Sequence, residues 1–75
     1  MKVKSKEIIE LLDIENSEKI GDDENLIKKF GFSSIEIINF IINLEKRYSM
    51  VIDISDMSID NFSTINAIKR MLKKY

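Results

Sequence analysis

The fifteen residues from Ser34 to Tyr48, S-I-E-I-I-N-F-I-I-N-L-E-K-R-Y, leave the chain few choices of fold. Wound at about 100° per residue, Ile35, Ile37, Ile38, Phe40, Ile41, Ile42, Leu44 and Tyr48 cover about two thirds of a helix circumference. Glu36, Asn39, Asn43, Lys46 and Arg47 fill the remaining stripe. A helix this apolar must touch several neighbours at once, which predicts the central post of a helical bundle. Isoleucine is a middling helix former because its branched Cβ is stiff, so packing rather than propensity must hold the segment. Nothing nearby breaks it: the 75 residues contain no proline and two glycines, so an all-α fold is expected.

The remaining segments supply partners for that post. A first helix is predicted from Lys4 to Asp13, with Ser5 as its cap. Ile8, Ile9, Leu11 and Leu12 lie opposite Lys6, Glu10 and Asp13. Residues 14–32 have weak periodicity and are read as an ordered loop whose Ile14, Ile20, Leu26, Ile27, Phe30 and Phe32 pack back onto the bundle. Asp56 is expected to cap one short helical turn, with Met57, Ile59 and Phe62 turned inward. A last helix begins after Ser63 or Thr64 and ends near Lys74. Its Ile65, Ile68, Met71 and Leu72 face one way and its Asn66, Lys69, Arg70 and Lys73 the other. The expectation is one domain over residues 1–75: a small four-helix bundle with three long helices and one short one.

Composition excludes several kinds of chemistry. With neither cysteine nor histidine, the chain has no disulfide, no thiolate and no imidazole base or ligand. Its net charge of -1 lacks the basic surface of a nucleic-acid binder. Charge is only modestly uneven: residues 1–36 sum to -3 and residues 37–75 to +2. No apolar run approaches a bilayer span, and the charged start M-K-V-K-S-K-E has no apolar core of a secretion signal. A cytoplasmic location is therefore expected, and a monomer is the separate expectation for its assembly. Asp22, Asp23 and Glu24 lack the alternating ligands and central glycine of a calcium loop, so they read as a solvated turn. Asp53, Asp56 and Asp60 read as caps and turn residues, and Met50, Met57 and Met71 as core filler. Lys69, Arg70, Lys73 and Lys74 read as a solvated basic face.

The serine pair before the long helix has two readings. With Ser33 as N-cap, Glu36 falls at N3 and S-S-I-E forms a capping box contributing about 1 kcal/mol. That accounts for Ser33 but not for Ser34, whose hydroxyl opens the helix. A phosphate on that hydroxyl would meet the free N–H groups and positive dipole end of the first turn. The residues by themselves permit a cap alone or a cap beside a modification site.

The stretch D-D-E-N-L-I-K-K-F-G-F-S-S-I-E-I-I-N-F-I-I-N-L-E-K-R-Y resembles the acyl and peptidyl carrier protein family. Ile27, Gly31, Phe32, Ser34 and Ile35 match the order and spacing of that family's attachment signature. Leu44 and Glu45 match the Leu-Glu near the end of the following helix, and D-N-F-S-T-I-N-A-I-K-R-M-L is similar to the entry into the family's last helix. The resemblance implies a stand-alone carrier with 4'-phosphopantetheine attached covalently to Ser34. A phosphopantetheinyl transferase would take the arm from coenzyme A. The arm's thiol would then carry acyl or aminoacyl groups between loading and processing enzymes of fatty-acid, polyketide or nonribosomal-peptide type. The resemblance also implies partner recognition by Ser33, Ile35, Glu36, Ile38, Asn39 and Glu45, with Ile35, Ile37, Ile38 and Phe40 where the arm or a partner passes. A chain without histidine or cysteine cannot activate its own serine, so no catalytic residue is expected; without calcium-loop spacing among its acids, no metal ligand is expected either.

The chain departs from the family at Ser33, where aspartate is usual, and along the long helix, where Asn39, Asn43, Lys46 and Arg47 replace a more acidic surface. The rival to a carrier is a small helical interaction module of the same fold without a prosthetic group, in which the serine pair is only a cap.

Overall fold

The computed structural model describes residues 1–12 and 20–75. Asp13 and Ile14, each placed by the sequence reading, lie outside the described residues. The order is α1 (Ser5–Leu12), α2 (Leu26–Phe30), α3 (Ser34–Tyr48), two 3-10 turns (Ile54–Asp56 and Ile59–Phe62) and α4 (Ile65–Leu72). All regular structure among the described residues is helical, as expected. The lengths differ from expectation: α3 has fifteen residues, whereas α1 and α4 have eight each.

The core gathers one face from every α-helix: Ile8 and Leu12 of α1, Leu26 of α2, Ile37, Phe40, Ile41 and Leu44 of α3, and Ile65, Ile68, Met71 and Leu72 of α4. Phe40 stands between Phe32 and Phe62, edge-on to both, at centroid distances of 6.2 and 6.1 Å. Edge-to-face contact directs the positive rim of one ring at the negative face of the next, which fixes orientation as well as distance. The trio thus sets the N-terminal half of α3 against the approach to it at Phe32 and against the second 3-10 turn at Phe62. Polar contacts tie α3 to α1 further along: the Tyr48 hydroxyl donates to Glu7 Oε2 at 2.6 Å, and Arg47 approaches Glu10 at 3.7 Å.

Several local expectations are overturned. Ser5 is the first residue of α1, not its cap. The Ile8 N–H bonds to the Lys4 carbonyl, and the Ser5 hydroxyl donates to Asp22 Oδ2 at 2.9 Å while accepting from Lys69 Nζ at 2.8 Å. Asp22, Asp23 and Glu24 do form the expected turn, but their side chains are engaged rather than merely solvated. The Asp23 carboxylate accepts from Asn66 Nδ2, the Asp22 carbonyl accepts the Asn66 N–H, and Glu24 pairs with Lys29. Within the expected loop lies α2, capped by Asn25, whose side chain accepts the Lys28 N–H at 2.9 Å. A bond from the Leu26 N–H to the Ser63 carbonyl anchors this single turn to the entrance of α4. That tertiary contact and the full burial of Leu26 stabilise a helix too short to form by itself.

The segment after α3 also differs. Asp53, not Asp56, caps the first 3-10 turn, accepting from the Ser55 N–H at 2.8 Å. Asp56 is buried between Lys74 and the Tyr75 hydroxyl. Phe62 points inward as expected, but Met57 and Ile59 are exposed, because these short turns present only one side to the core. Met71 fills the core and Met50 packs against it. The last helix is capped by Thr64, which accepts the Ala67 N–H at 2.9 Å, and it ends at Leu72, before Lys74.

The wide apolar arc of α3 is only half covered. Ile37, Phe40, Ile41 and Leu44 are buried, whereas Ile35, Ile38 and Ile42 are 72, 57 and 42% exposed. The neighbours pack against one side of α3, so the other side meets solvent despite its composition.

Candidate functional site

The approach to α3 is made by α2 and its terminator. Gly31 takes a left-handed conformation (φ 64°), and the Phe32 N–H turns back to the Leu26 carbonyl at 3.2 Å. This sharp stop suits glycine, which pays no Cβ penalty there. It drives Phe32 into the core and leaves the next two residues on the surface.

The two serines then diverge. Ser33 is the N-cap: its hydroxyl oxygen accepts the Glu36 N–H at 3.5 Å and donates to Glu36 Oε1 at 3.2 Å. The expected capping box is therefore modified, since the Glu36 carboxylate meets the Ser33 hydroxyl rather than the Ser33 N–H. Ser34 is exposed, and its hydroxyl makes no hydrogen bond among the described residues. The N–H groups of Ser34 and Ile35, in the first turn, have no intrahelical acceptor, as geometry requires. A hydroxyl beside unsatisfied N–H donors at the positive end of a fifteen-residue helix is suited to an attached phosphate.

From this tip an apolar row of Ile35, Ile38 and Ile42 runs along the exposed side of α3, at the i, i+3, i+7 spacing of one helix face. Asn39 flanks the row and is exposed, as is Glu36 nearer the tip. Ile37 and Phe40, expected beside the arm or a partner, are instead in the core. Glu45 is half-buried, and its Oε2 accepts the Ile52 N–H at 2.8 Å. One of its oxygens is thereby used to fasten the loop that follows α3. A shallow recess of about 110 Å³ between α1 and α3 lies on the Glu36 and Asn39 side.

Another polar cluster lies near Tyr75. Asp56 accepts from Lys74 and, at 2.7 Å, from the Tyr75 hydroxyl, which itself accepts the Asp53 N–H at 2.8 Å. Lys74 and Tyr75 hold the Asp56 carboxyl below the usual carboxylate range, while burial and the neighbouring Asp56 push the Tyr75 phenol up. The sequence reading missed this network because its members lie 18 and 19 residues apart.

No helix among the described residues is long and apolar enough to cross a membrane. No curated protein and no solved structure matches the chain. The model of the family described as "phosphopantetheine attachment site" matches residues 6–72, which contain the Gly31 stop, the serine pair and all of α3. Domains of this family carry covalently attached 4'-phosphopantetheine and are not themselves catalytic. By that match and by the helical fold beneath it, the chain belongs to the phosphopantetheine-binding carrier family.

Proposed function

We propose that Ser34 is the attachment residue and that the chain shuttles acyl or aminoacyl groups between enzymes of a fatty-acid, polyketide or nonribosomal-peptide type of synthesis. The observation that carries this reading is the divergence of the two serines. Ser33 is absorbed into the cap, while the Ser34 hydroxyl is exposed and unengaged at the tip of α3. When bound, the arm supplies a thiol that holds its cargo as a thioester. The chain's own residues do the rest. Ser34 Oγ provides the ester oxygen, and the first-turn N–H groups stand beside the phosphate that the attachment brings. The Ser33 cap keeps that turn helical. With no histidine or cysteine, the proton of Ser34 must be removed by the transferase, not by this chain.

The apolar row of Ile35 and Ile38, edged by Ser33, Glu36 and Asn39 and ending near Glu45, is the proposed recognition surface. Its exposed isoleucines and few acids fit partner enzymes whose docking face is more apolar and less basic than an acidic helix would require. This favours a specialised synthesis over a general one.

Intact-mass measurement after incubation with coenzyme A, magnesium and a broad-specificity phosphopantetheinyl transferase tests the attachment. Peptide mapping should place one phosphopantetheine on Ser34. Ser34→Ala should abolish the gain, and Ser33→Ala should retain it. A gain that survives Ser34→Ala and is lost in Ser33→Ala would move the site by one residue. No gain with several transferases, on a folded protein, would leave an interaction module of the same fold.

A further inference from the structure

A recess of about 480 Å³ lies between residues 1–5 and α4, and no residue of α3 lines it. Its walls bring Lys2 and Lys4 from the N-terminal stretch together with Lys69, Arg70 and Lys73. Five of the twelve lysines and arginines of a chain with net charge -1 therefore surround one groove. Lys69 is held at one edge by Ser5 and by Asp22, 3.6 Å away. Lys2, Lys4, Arg70 and Lys73 are exposed and take part in no ion pair among the described residues. Buried Val3 contributes to the lining, and the aliphatic stems of the cations extend that apolar surface.

We infer that this groove docks an acidic, partly apolar segment of a partner protein. Charge complementarity selects the occupant. Four like charges converging without internal partners raise a positive potential that carboxylates neutralise, and a concave site focuses it. The lining rewards apolar side chains interspersed among those carboxylates. The recess is concave, so a short segment fits it better than a flat bilayer does. Asp22 and Asp23, on the Lys69 and Asn66 side, end the positive surface there, so it suits a short acidic segment rather than a continuous phosphate backbone. The site is independent of Ser34: a partner held here leaves the exposed side of α3 free.

Fluorescence anisotropy with a labelled Glu-Leu-Glu-Glu-Leu-Glu peptide and the whole chain tests the docking. Binding is expected at low ionic strength and should weaken steeply as salt rises and the screening length falls below about 10 Å. Arg70→Glu with Lys73→Glu should weaken it by at least about tenfold while the helical circular dichroism is retained. Lys2→Glu with Lys4→Glu, outside every helix, should do the same and serves if the α4 pair disturbs folding. Lys28→Glu with Lys46→Glu makes the same change of net charge on other surfaces and should weaken binding less than about threefold. The inference is overturned if the peptide does not bind, if all three pairs lose binding equally, or if a Gln-for-Glu peptide binds as well. Binding to phosphatidylserine vesicles but not to the peptide would overturn it in favour of a membrane surface.

Discussion

Phe32 stands edge-on to Phe40, with ring centroids 6.2 Å apart and ring planes at 73°. The residue just before the serine pair is thus locked to the second turn of the helix that the pair begins. Both rings are almost wholly buried. The position of Ser34 is set from below, by packing, rather than by hydrogen bonds of its own.

Removing that support should be costly. Phe40→Ala is expected to lose about 3–5 kcal/mol, against a total of about 4–11 kcal/mol for a chain of this length. Phe32→Leu, which keeps an apolar side chain but gives up the ring, should lose less, about 1–2 kcal/mol. Urea unfolding followed by circular dichroism reads both. A loss below about 1 kcal/mol for Phe40→Ala would show that the aromatic trio does not hold the site.

The two serines should separate in stability as they do in geometry. Ser33→Ala should cost about 0.5–1 kcal/mol, the lower part of the range for caps, because its acceptor contact is long at 3.5 Å. Ser34→Ala should stay within about 0.5 kcal/mol of the parent. Equal thermal shifts in the two variants would contradict the division of roles.

Two left-handed residues offer opposite tests. Gly31 has φ 64° and no atom within 4 Å of where a Cβ would stand. Gly31→Ala should therefore cost about 1–2 kcal/mol from backbone strain alone. Ser49 ends α3 at φ 51° without being glycine. Ser49→Gly should raise stability by about 0.5 kcal/mol. Melting temperatures that move in the same direction would refute the strain argument.

Neighbouring isoleucines on α3 should respond differently to the same substitution. Ile38→Gln, at an exposed position, should change stability by less than about 0.5 kcal/mol. Ile41→Gln, in the core, should cost at least about 2 kcal/mol. Similar losses would mean that the exposed row is covered in solution.

The Asp56 network gives stability a defined pH dependence. The folded carboxyl titrates below its unfolded value of about 4, because Lys74 and the Tyr75 hydroxyl favour its charged form. Its contribution is therefore full above about pH 4 and lost as pH falls through the lower folded value. Burial and Asp56 raise the Tyr75 phenol above its ordinary value of about 10, so that contribution is lost as pH rises past it. Thermal melts should be flat between these limits and fall at both ends. Asp56→Asn should flatten the acid limb most, and an unchanged acid limb would exclude the network as its source.

The bounds of α3 were legible in the sequence, because Gly31, Ser33 and the apolar period that follows are local signals acting within a few residues. The resemblance carried by Ile27, Gly31, Phe32, Ser34 and Ile35 reached the family for the same reason. Helix α2 was hidden: L-I-K-K-F is too short to show a period, and its anchor is the carbonyl of Ser63, far along the chain. Asp56 looked like a cap because its partners, Lys74 and Tyr75, arrive only on folding.

What the sequence alone determined is which residues share a helix face and where the chain must stop and turn, since both depend on dihedral preferences and spacings of a few residues. Whether a face is covered was decided by tertiary structure. Ile35 and Ile37 are two residues apart and chemically identical, yet one is 72% exposed and the other 8%. Periodicity orders the side chains around a helix, but only the placement of the neighbouring elements determines which side loses its water. The same rule brought Lys2 and Lys4 to Arg70 and Lys73, cations from opposite ends of the chain that share one groove only after α4 has packed.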